Sequence, residues 1–80
     1  MLSLDQLRLG QHALVEQLVG DDAISQRLME MGLIEGEEIH LLAVAPLGDP
    51  LEIRLGDGRL SLRRREAARV LVRLLGAEAK

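Results

Sequence analysis

The chain has 80 residues, of which 48% are hydrophobic and 29% are charged, and it contains neither cysteine nor any aromatic residue. This length supports one small domain, and it leaves too little apolar surface for a second core or a deep catalytic cavity. The missing cysteines exclude disulfides, thiolate metal sites, iron–sulfur clusters and thiol nucleophiles. The composition therefore fits a reducing cytosol.

The net charge of −3 is distributed unevenly along the chain. Residues 1–53 hold ten acidic and two basic residues, a balance of −8, whereas residues 54–80 hold three acidic and eight basic residues, a balance of +5. An acidic total argues against non-specific nucleic-acid binding, which depends on a broad basic surface. The missing aromatic rings exclude base stacking and a groove for proline-rich peptides. We therefore expect no nucleic-acid partner.

The first residues do not have the pattern of a secretory signal peptide. Met1–Asp5 lacks a basic region followed by an apolar run, so we expect a cytoplasmic protein. The longest stretch without charge, Leu41–Gly48, is far shorter than the roughly 20 residues that a membrane helix needs. We expect no direct insertion into a membrane.

The first part of the chain predicts a helical turn followed by a strand. Ser3–Leu7 combines a capping serine with leucines three residues apart, which favours one helical turn. Gln11–Val19 alternates in polarity, with His12 and Glu16 on the outer side. This alternation is typical of a half-buried strand.

A helix is predicted after Gly20. Asp21 or Asp22 can cap its free N–H groups, and acidic charge suits the positive end of the helix dipole. One apolar stripe follows at helical spacing, formed by Ile24, Leu28 and Met31. Gly32 ends the helix because glycine adopts a left-handed conformation without steric cost.

The second half of the chain predicts short strands separated by turns, and the tight turn Gly56–Gly58 is expected to join two of them as a hairpin. The predicted strands are Ile39–Ala45, Leu51–Leu55, Arg59–Leu62 and Val70–Val72, and one helical turn is expected between residues 64 and 68. Five short strands with one inserted short helix indicate a mainly β fold, a small SH3-like barrel. We assign residues 1–75 to this single domain and residues 76–80 to a C-terminal tail.

No residue pattern points to catalysis. The three serines, at positions 3, 25 and 61, lie in helical segments or in a strand and have no neighbouring base in sequence. The adjacent carboxylates Asp21–Asp22 and Glu37–Glu38 are typical of a helix cap and a solvated strand start. There is no P-loop motif. We predict that the protein is not an enzyme.

The two histidines are the only borderline-soft metal ligands besides the methionine thioethers. His12 and His40 lie on different predicted strands, with outward parity, where each can meet a carboxylate such as Glu16 or Glu52. The plainer interpretation is two solvated histidines. The alternative is a weak surface site for Fe²⁺ or Zn²⁺ that His12 and His40 supply with nitrogen, and no cofactor is required.

Three features are candidates for contact with a partner. Met29 and Met31 cannot both face the core, so Met29 is either partly buried or an apolar contact at the surface. Leu47 lies in a proline-bounded loop. The basic run that includes Arg63 and Arg64 is either a solvated corner or a surface that docks onto an acidic partner or anionic lipid headgroups.

Four blocks of sequence, in order, resemble ferrous-iron transport protein A, the FeoA family. They are Leu7 with Gly10, Arg27–Leu33 followed by Gly36, the loop Ala45–Pro50, and Leu60–Arg64 with Glu66 and Ala67. The resemblance runs from residue 4 to residue 73. Glu35 stands where the family often has proline, which affects only the rigidity of that turn. The family pattern supplies no metal ligand set.

The resemblance implies a small cytoplasmic SH3-like protein of bacterial ferrous-iron uptake. Its partner would be the large membrane permease that carries a GTP-binding domain, which it would bind and regulate, and a weak homo-oligomer is also compatible with this role. The alternative is a free-standing SH3-like module similar to the C-terminal domain of iron-dependent repressors, with a regulatory or weak metal-binding role. Such a repressor also needs a winged helix and a metal-binding domain, for which the sequence has no matching segment.

Overall fold

The computed structural model describes residues 2–76 of the chain. Its six strands are β1 (Leu2–Ser3), β2 (His12–Leu18), β3 (Glu38–Val44), β4 (Leu51–Leu55), β5 (Gly58–Leu62) and β6 (Val70–Leu75). Its helical elements are a 3₁₀ turn (Leu4–Gln6), α1 (Ala23–Glu30) and α2 (Arg64–Ala67). No helix within residues 2–76 is long and apolar enough to cross a membrane.

The strands form one antiparallel sheet in the order β1-β6-β2-β3-β4-β5. The predicted SH3-like fold is confirmed, and so are the hairpin of β4 and β5 and the inserted helix α1. The sequence did not predict β1, because two residues are too few to show alternation. Leu2 and Ser3 pair with Val72 and Leu71 of β6. The predicted tail lies outside the described residues, apart from Gly76.

The core of the sheet is entirely aliphatic. Each fully buried leucine, isoleucine or valine contributes about 1.5–3 kcal/mol, so stability comes from many small side chains rather than from a few aromatic rings. The buried apolar residues are Leu4, Leu7, Ala13, Val15, Leu28, Leu33, Ile39, Leu41, Leu51, Ile53, Leu62, Ala67, Val70 and Val72.

The residue that caps the N-terminus of helix α1 is Asp22, the second of the two predicted capping residues. Its carboxylate Oδ1 accepts a hydrogen bond from the Ser25 backbone N–H at 3.2 Å and another from Arg69 Nη1 at 2.6 Å. Ser25 is fully buried, and its hydroxyl donates to the Val19 carbonyl at 2.9 Å. The cap therefore joins the start of α1 to the residues that precede β6.

Helix α1 ends in a glycine turn, as predicted. Gly32 has a φ of +104°, and a Cβ at this position would lie 3.1 Å from the Leu55 side chain. The Leu33 N–H donates to the Leu28 carbonyl at 3.1 Å, which is the long hydrogen bond of a Schellman turn. The side chain of Leu33 is thereby folded back into the core.

Helix α2 is short, but its acidic residue holds it in place. Glu66 is only 5% exposed, and its Oε1 accepts a hydrogen bond from the Arg63 backbone N–H at 2.8 Å. Its Oε2 forms an ion pair with Arg27 of α1. The sequence did not predict this contact between the two helices.

The cap at Asp22 makes stability depend on pH. The hydrogen bonds from Arg69 and from the Ser25 N–H lower the pKa of Asp22 below its ordinary value of 3.8. A carboxyl group whose pKa is lower in the folded state stabilises the fold above its unfolded-state pKa, and this contribution is lost as the pH falls through the folded-state pKa. We therefore expect Asp22→Asn to cost stability at pH 7, and the cost to shrink below about pH 4.

Urea denaturation of the wild type and of Asp22→Asn from pH 7 downwards measures this difference. Asp21→Asn, the neighbouring exposed carboxylate that does not cap the helix, is the matched control. A difference between wild type and Asp22→Asn that stays constant with pH would contradict the assignment of the cap.

Candidate functional site

The loop between β3 and β4 carries the most exposed large apolar side chain of the described residues. Leu47 is 96% exposed. Two hydrogen bonds close the loop beneath it, from the Gly48 N–H to the Ala45 carbonyl at 2.7 Å and from the Ala45 N–H to the Pro50 carbonyl at 3.0 Å. The loop thus presents a leucine to solvent on a backbone that is held by hydrogen bonds.

Arg64 fastens this loop to the rest of the domain. Its Nε donates to the Gly48 carbonyl at 2.7 Å, and its backbone N–H donates to Asp49 Oδ1 at 2.9 Å. Its Nη1 reaches the Asp5 carbonyl at 2.8 Å. The sequence placed Arg64 among the partner-contacting residues, but these bonds commit its guanidinium to the protein's own backbone. Arg64 is therefore a positioning residue for the loop.

Two other arginines, one at the start of α2 and one within it, lie at the surface close to Arg64 in sequence. Arg63 and Arg65 line a surface groove that also includes Arg27, Met31 and Pro50. Within residues 2–76, no ion pair uses the Arg63 or Arg65 guanidinium. Pro50 belongs both to this groove and to the loop that presents Leu47, so the groove and the loop adjoin and form one region of the surface. We call this region, made of residues 45–50 with Arg63 and Arg65, the Leu47 surface.

Met29 belongs to a different part of the surface. It is 44% exposed, so it is a half-buried side chain that still offers apolar area to a partner. It lines a groove with Leu18 and Ile34, next to the carboxylates of Glu16 and Glu35. The structure therefore does not bring Met29 and Leu47 into one groove. Sequence reasoning missed Ile34, although an apolar residue in the turn after a helix was a detectable signal.

The two histidines are direct neighbours across β2 and β3. His12 is the cross-strand partner of His40. Their rings stack with centroids 4.0 Å apart and planes inclined by 13°. Glu38 Oε2 lies 3.0 Å from Nδ1 of His12. Within residues 2–76, however, no group of three or more histidine, aspartate or glutamate side chains is arranged to hold a metal ion.

The carboxylates that the sequence expected beside the histidines are used elsewhere. Glu16 accepts a hydrogen bond from Arg73 Nε at 2.7 Å, and Glu52 accepts one from Arg59 Nη1 at 3.1 Å. His12 does lie beside a carboxylate, as expected, but that carboxylate is neither Glu16 nor Glu52, because parity alone does not say which neighbour stands opposite. The register of β2 against β3 places Glu38 next to His12 instead.

Two of the three serines have structural roles. Ser3 donates to the Asp5 carboxylate, and Ser25 donates to a backbone carbonyl. Ser61 is exposed on β5. In the part of the chain that the structure describes, none of the three hydroxyls has a histidine as its hydrogen-bond partner.

Removal of the Arg64 guanidinium should loosen the loop. Arg64→Met keeps the apolar stem but removes both side-chain donors, so we expect a loss of about 1–3 kcal/mol of unfolding free energy. Amide exchange over residues 46–49 should also become faster. Arg65→Met is the control on the same helical turn, and we expect it to change stability by less than about 0.5 kcal/mol. Equal effects of the two substitutions on stability and on exchange would show that Arg64 does not position the loop.

The fold is that of a small SH3-like domain, and it carries an exposed surface of apolar and cationic side chains. The model of the FeoA domain matches residues 2–74, and the chain belongs to the FeoA family. FeoA proteins are small, SH3-like and associated with ferrous-iron transport, and they are not a known enzyme family.

Three relatives show how far this similarity extends. A protein of Porphyromonas gingivalis described as an Fe(2+) transport protein A/Fe(2+) transporter FeoB fusion is 35% identical over 78 residues, which cover 98% of this chain and 9% of the relative. Iron(II) transport protein A of Clostridium thermocellum is 36% identical, with a TM-score of 0.89 over 94% of this chain and 46% of that one. FeoA of Stenotrophomonas maltophilia, crystallised with zinc, is 39% identical, with a TM-score of 0.80 over 91% of each chain.

The chain thus spans less than half the length of two of these relatives. The same fold also occurs in a manganese-dependent transcriptional repressor, at 17% identity with a TM-score of 0.84 over 92% of this chain and 36% of the repressor. At this identity the similarity concerns the fold alone, and it carries no regulatory function over to this chain.

Proposed function

We propose that this chain is an accessory protein of ferrous-iron uptake that docks, through its Leu47 surface, onto the cytoplasmic side of the ferrous-iron permease and regulates its GTP-binding domain. The observation that carries the proposal is Leu47, which is 96% exposed on a loop that the protein itself holds in place. Membership of the FeoA family supports a role in ferrous-iron uptake. The fusion of an FeoA part to an FeoB part in the P. gingivalis relative supports the permease as the binding partner.

Leu47 has the properties of an energetic anchor. Burial of a leucine side chain in a partner's pocket contributes about 1.5–3 kcal/mol, which is typical of a residue that dominates an interface. Because hydrogen bonds already hold the loop, little backbone entropy is lost on binding. The protein therefore presents its apolar anchor in a conformation that is ready to bind.

The arginines beside the loop determine the kind of surface that the partner offers. Arg63 and Arg65 have no internal ion pairs within residues 2–76, so their charges act outward. Cationic side chains at the rim of an interface mainly accelerate and orient the encounter. We therefore expect an apolar pocket with acidic residues around it on the permease.

Met29 is a secondary contact in this proposal. Its groove with Leu18 and Ile34 lies on α1 and β2, away from the elements of the Leu47 surface. A partner as large as a permease can reach both regions. The proposed docking uses only apolar and cationic side chains, so it requires no cofactor, and it is compatible with a weak homo-oligomer.

Leu47→Glu should weaken binding to the detergent-solubilised permease by tenfold or more, because loss of a buried anchor costs more than about 1.4 kcal/mol. Arg63→Ala should have a smaller effect, mainly on the association rate. Biolayer interferometry with immobilised permease measures both. Leu9→Glu is the matched control, since Leu9 is also exposed, at 64%, but lies outside the Leu47 surface.

Circular dichroism should show that all three variants are folded. A folded Leu47→Glu protein with the same affinity for the permease as the wild type would contradict the proposed surface. Equal affinities of Leu47→Glu and Leu9→Glu would contradict it too. In cells, the Leu47→Glu strain should take up less ferrous iron than the Leu9→Glu strain.

A further inference from the structure

We infer that His12 and His40 together bind a divalent transition-metal ion of the borderline class, such as Zn²⁺ or Fe²⁺, and that Glu38 holds His12 in the tautomer that binds it. The site lies on β2 and β3 and uses none of the docking residues. It goes beyond the proposed function, and its test is independent of the permease.

Glu38 prepares one of the two ligands. An ionised carboxylate only accepts hydrogen bonds, so Nδ1 of His12, 3.0 Å from Glu38 Oε2, carries the proton that they share. In the neutral imidazole, the other ring nitrogen, Nε2, then carries no proton and has a free lone pair. Proteins commonly orient metal-binding histidines through such an outer carboxylate. The described residues thus hold His12 as a ligand before any ion is present.

His40 supplies the second nitrogen, but the rings must turn to bind one ion together. Their planes are nearly parallel, at 13°, and the centroids are 4.0 Å apart, so lone pairs that lie in the ring planes do not converge. A zinc ion needs both nitrogens at about 2.0–2.1 Å. Rotation of at least one imidazole about its Cβ–Cγ bond brings the lone pairs together. Binding of the ion therefore breaks the stacking of the two rings.

Charges around the pair set a modest affinity. The histidines line one groove with Glu37, Glu38 and Arg54. The two carboxylates attract a cation, whereas Arg54, the cross-strand partner of His40, repels it. Only two imidazoles coordinate directly, so water completes the coordination sphere.

The test is a titration of the full chain with Zn²⁺, followed by calorimetry and by long-range ¹H–¹⁵N NMR of the imidazole nitrogens. Before zinc is added, His12 should show the tautomer with the proton on Nδ1. Zinc should then shift the ring signals of His12 and His40 together, at one ion per chain. His12→Ala combined with His40→Ala should abolish this binding.

Three single substitutions separate the roles. Glu38→Gln should weaken zinc affinity by about tenfold, since it removes the outer carboxylate but keeps both imidazoles. Arg54→Gln should strengthen it by about two- to fivefold, because a repelling charge is lost. Glu30→Gln, an equal charge change on α1, should leave it within about twofold.

The zinc titrations test the proposed metal site independently of iron transport and of the permease. Zinc affinity that survives in the folded double-histidine variant would overturn it, and so would a response from only one ring. Equal effects of Glu38→Gln and Glu30→Gln would overturn the role of Glu38. Concerted shifts of both rings, weakened by Glu38→Gln and strengthened by Arg54→Gln, would establish the site.

Discussion

The four-residue helix α2 holds together the parts of the chain that the sheet does not fix. Arg64 donates to the backbone of the β3–β4 loop and of the 3₁₀ turn, while the buried Glu66 caps α2 and pairs with Arg27 of α1. These bonds join segments that are far apart in sequence, the longest spanning 59 residues between Arg64 and Asp5. In a domain whose core has no aromatic ring, charge-assisted bonds of this kind add directional contacts between these segments, which aliphatic packing does not supply.

The proposed docking depends on this arrangement. A leucine on a mobile loop would lose conformational entropy on binding, whereas Leu47 is presented on a loop that is already ordered. The arginines next to Arg64 in sequence, Arg63 and Arg65, form no ion pair within residues 2–76 and are available for an outward role. One basic run therefore serves two purposes: its central residue positions the loop, and its outer residues give the surface its charge.

Local signals in the sequence predicted most of the fold but not the contacts across it. The glycine turn at Gly32 and the β4–β5 hairpin follow from neighbouring residues, and the structure has both. The His12–His40 stack depends on the register between β2 and β3, which polarity alternation does not specify. The role of Arg64 was missed for the same reason, since its acceptors lie 16 and 59 residues away.

The most direct test of the central claim is hydrogen–deuterium exchange of the full chain, alone and bound to the permease in lipid nanodiscs. Docking through the Leu47 surface predicts that amides in the β3–β4 loop and at the start of α2 become protected, while those around His12 and His40 keep their exchange rates. Protection centred on β2 and β3, with residues 45–50 unchanged, would contradict it.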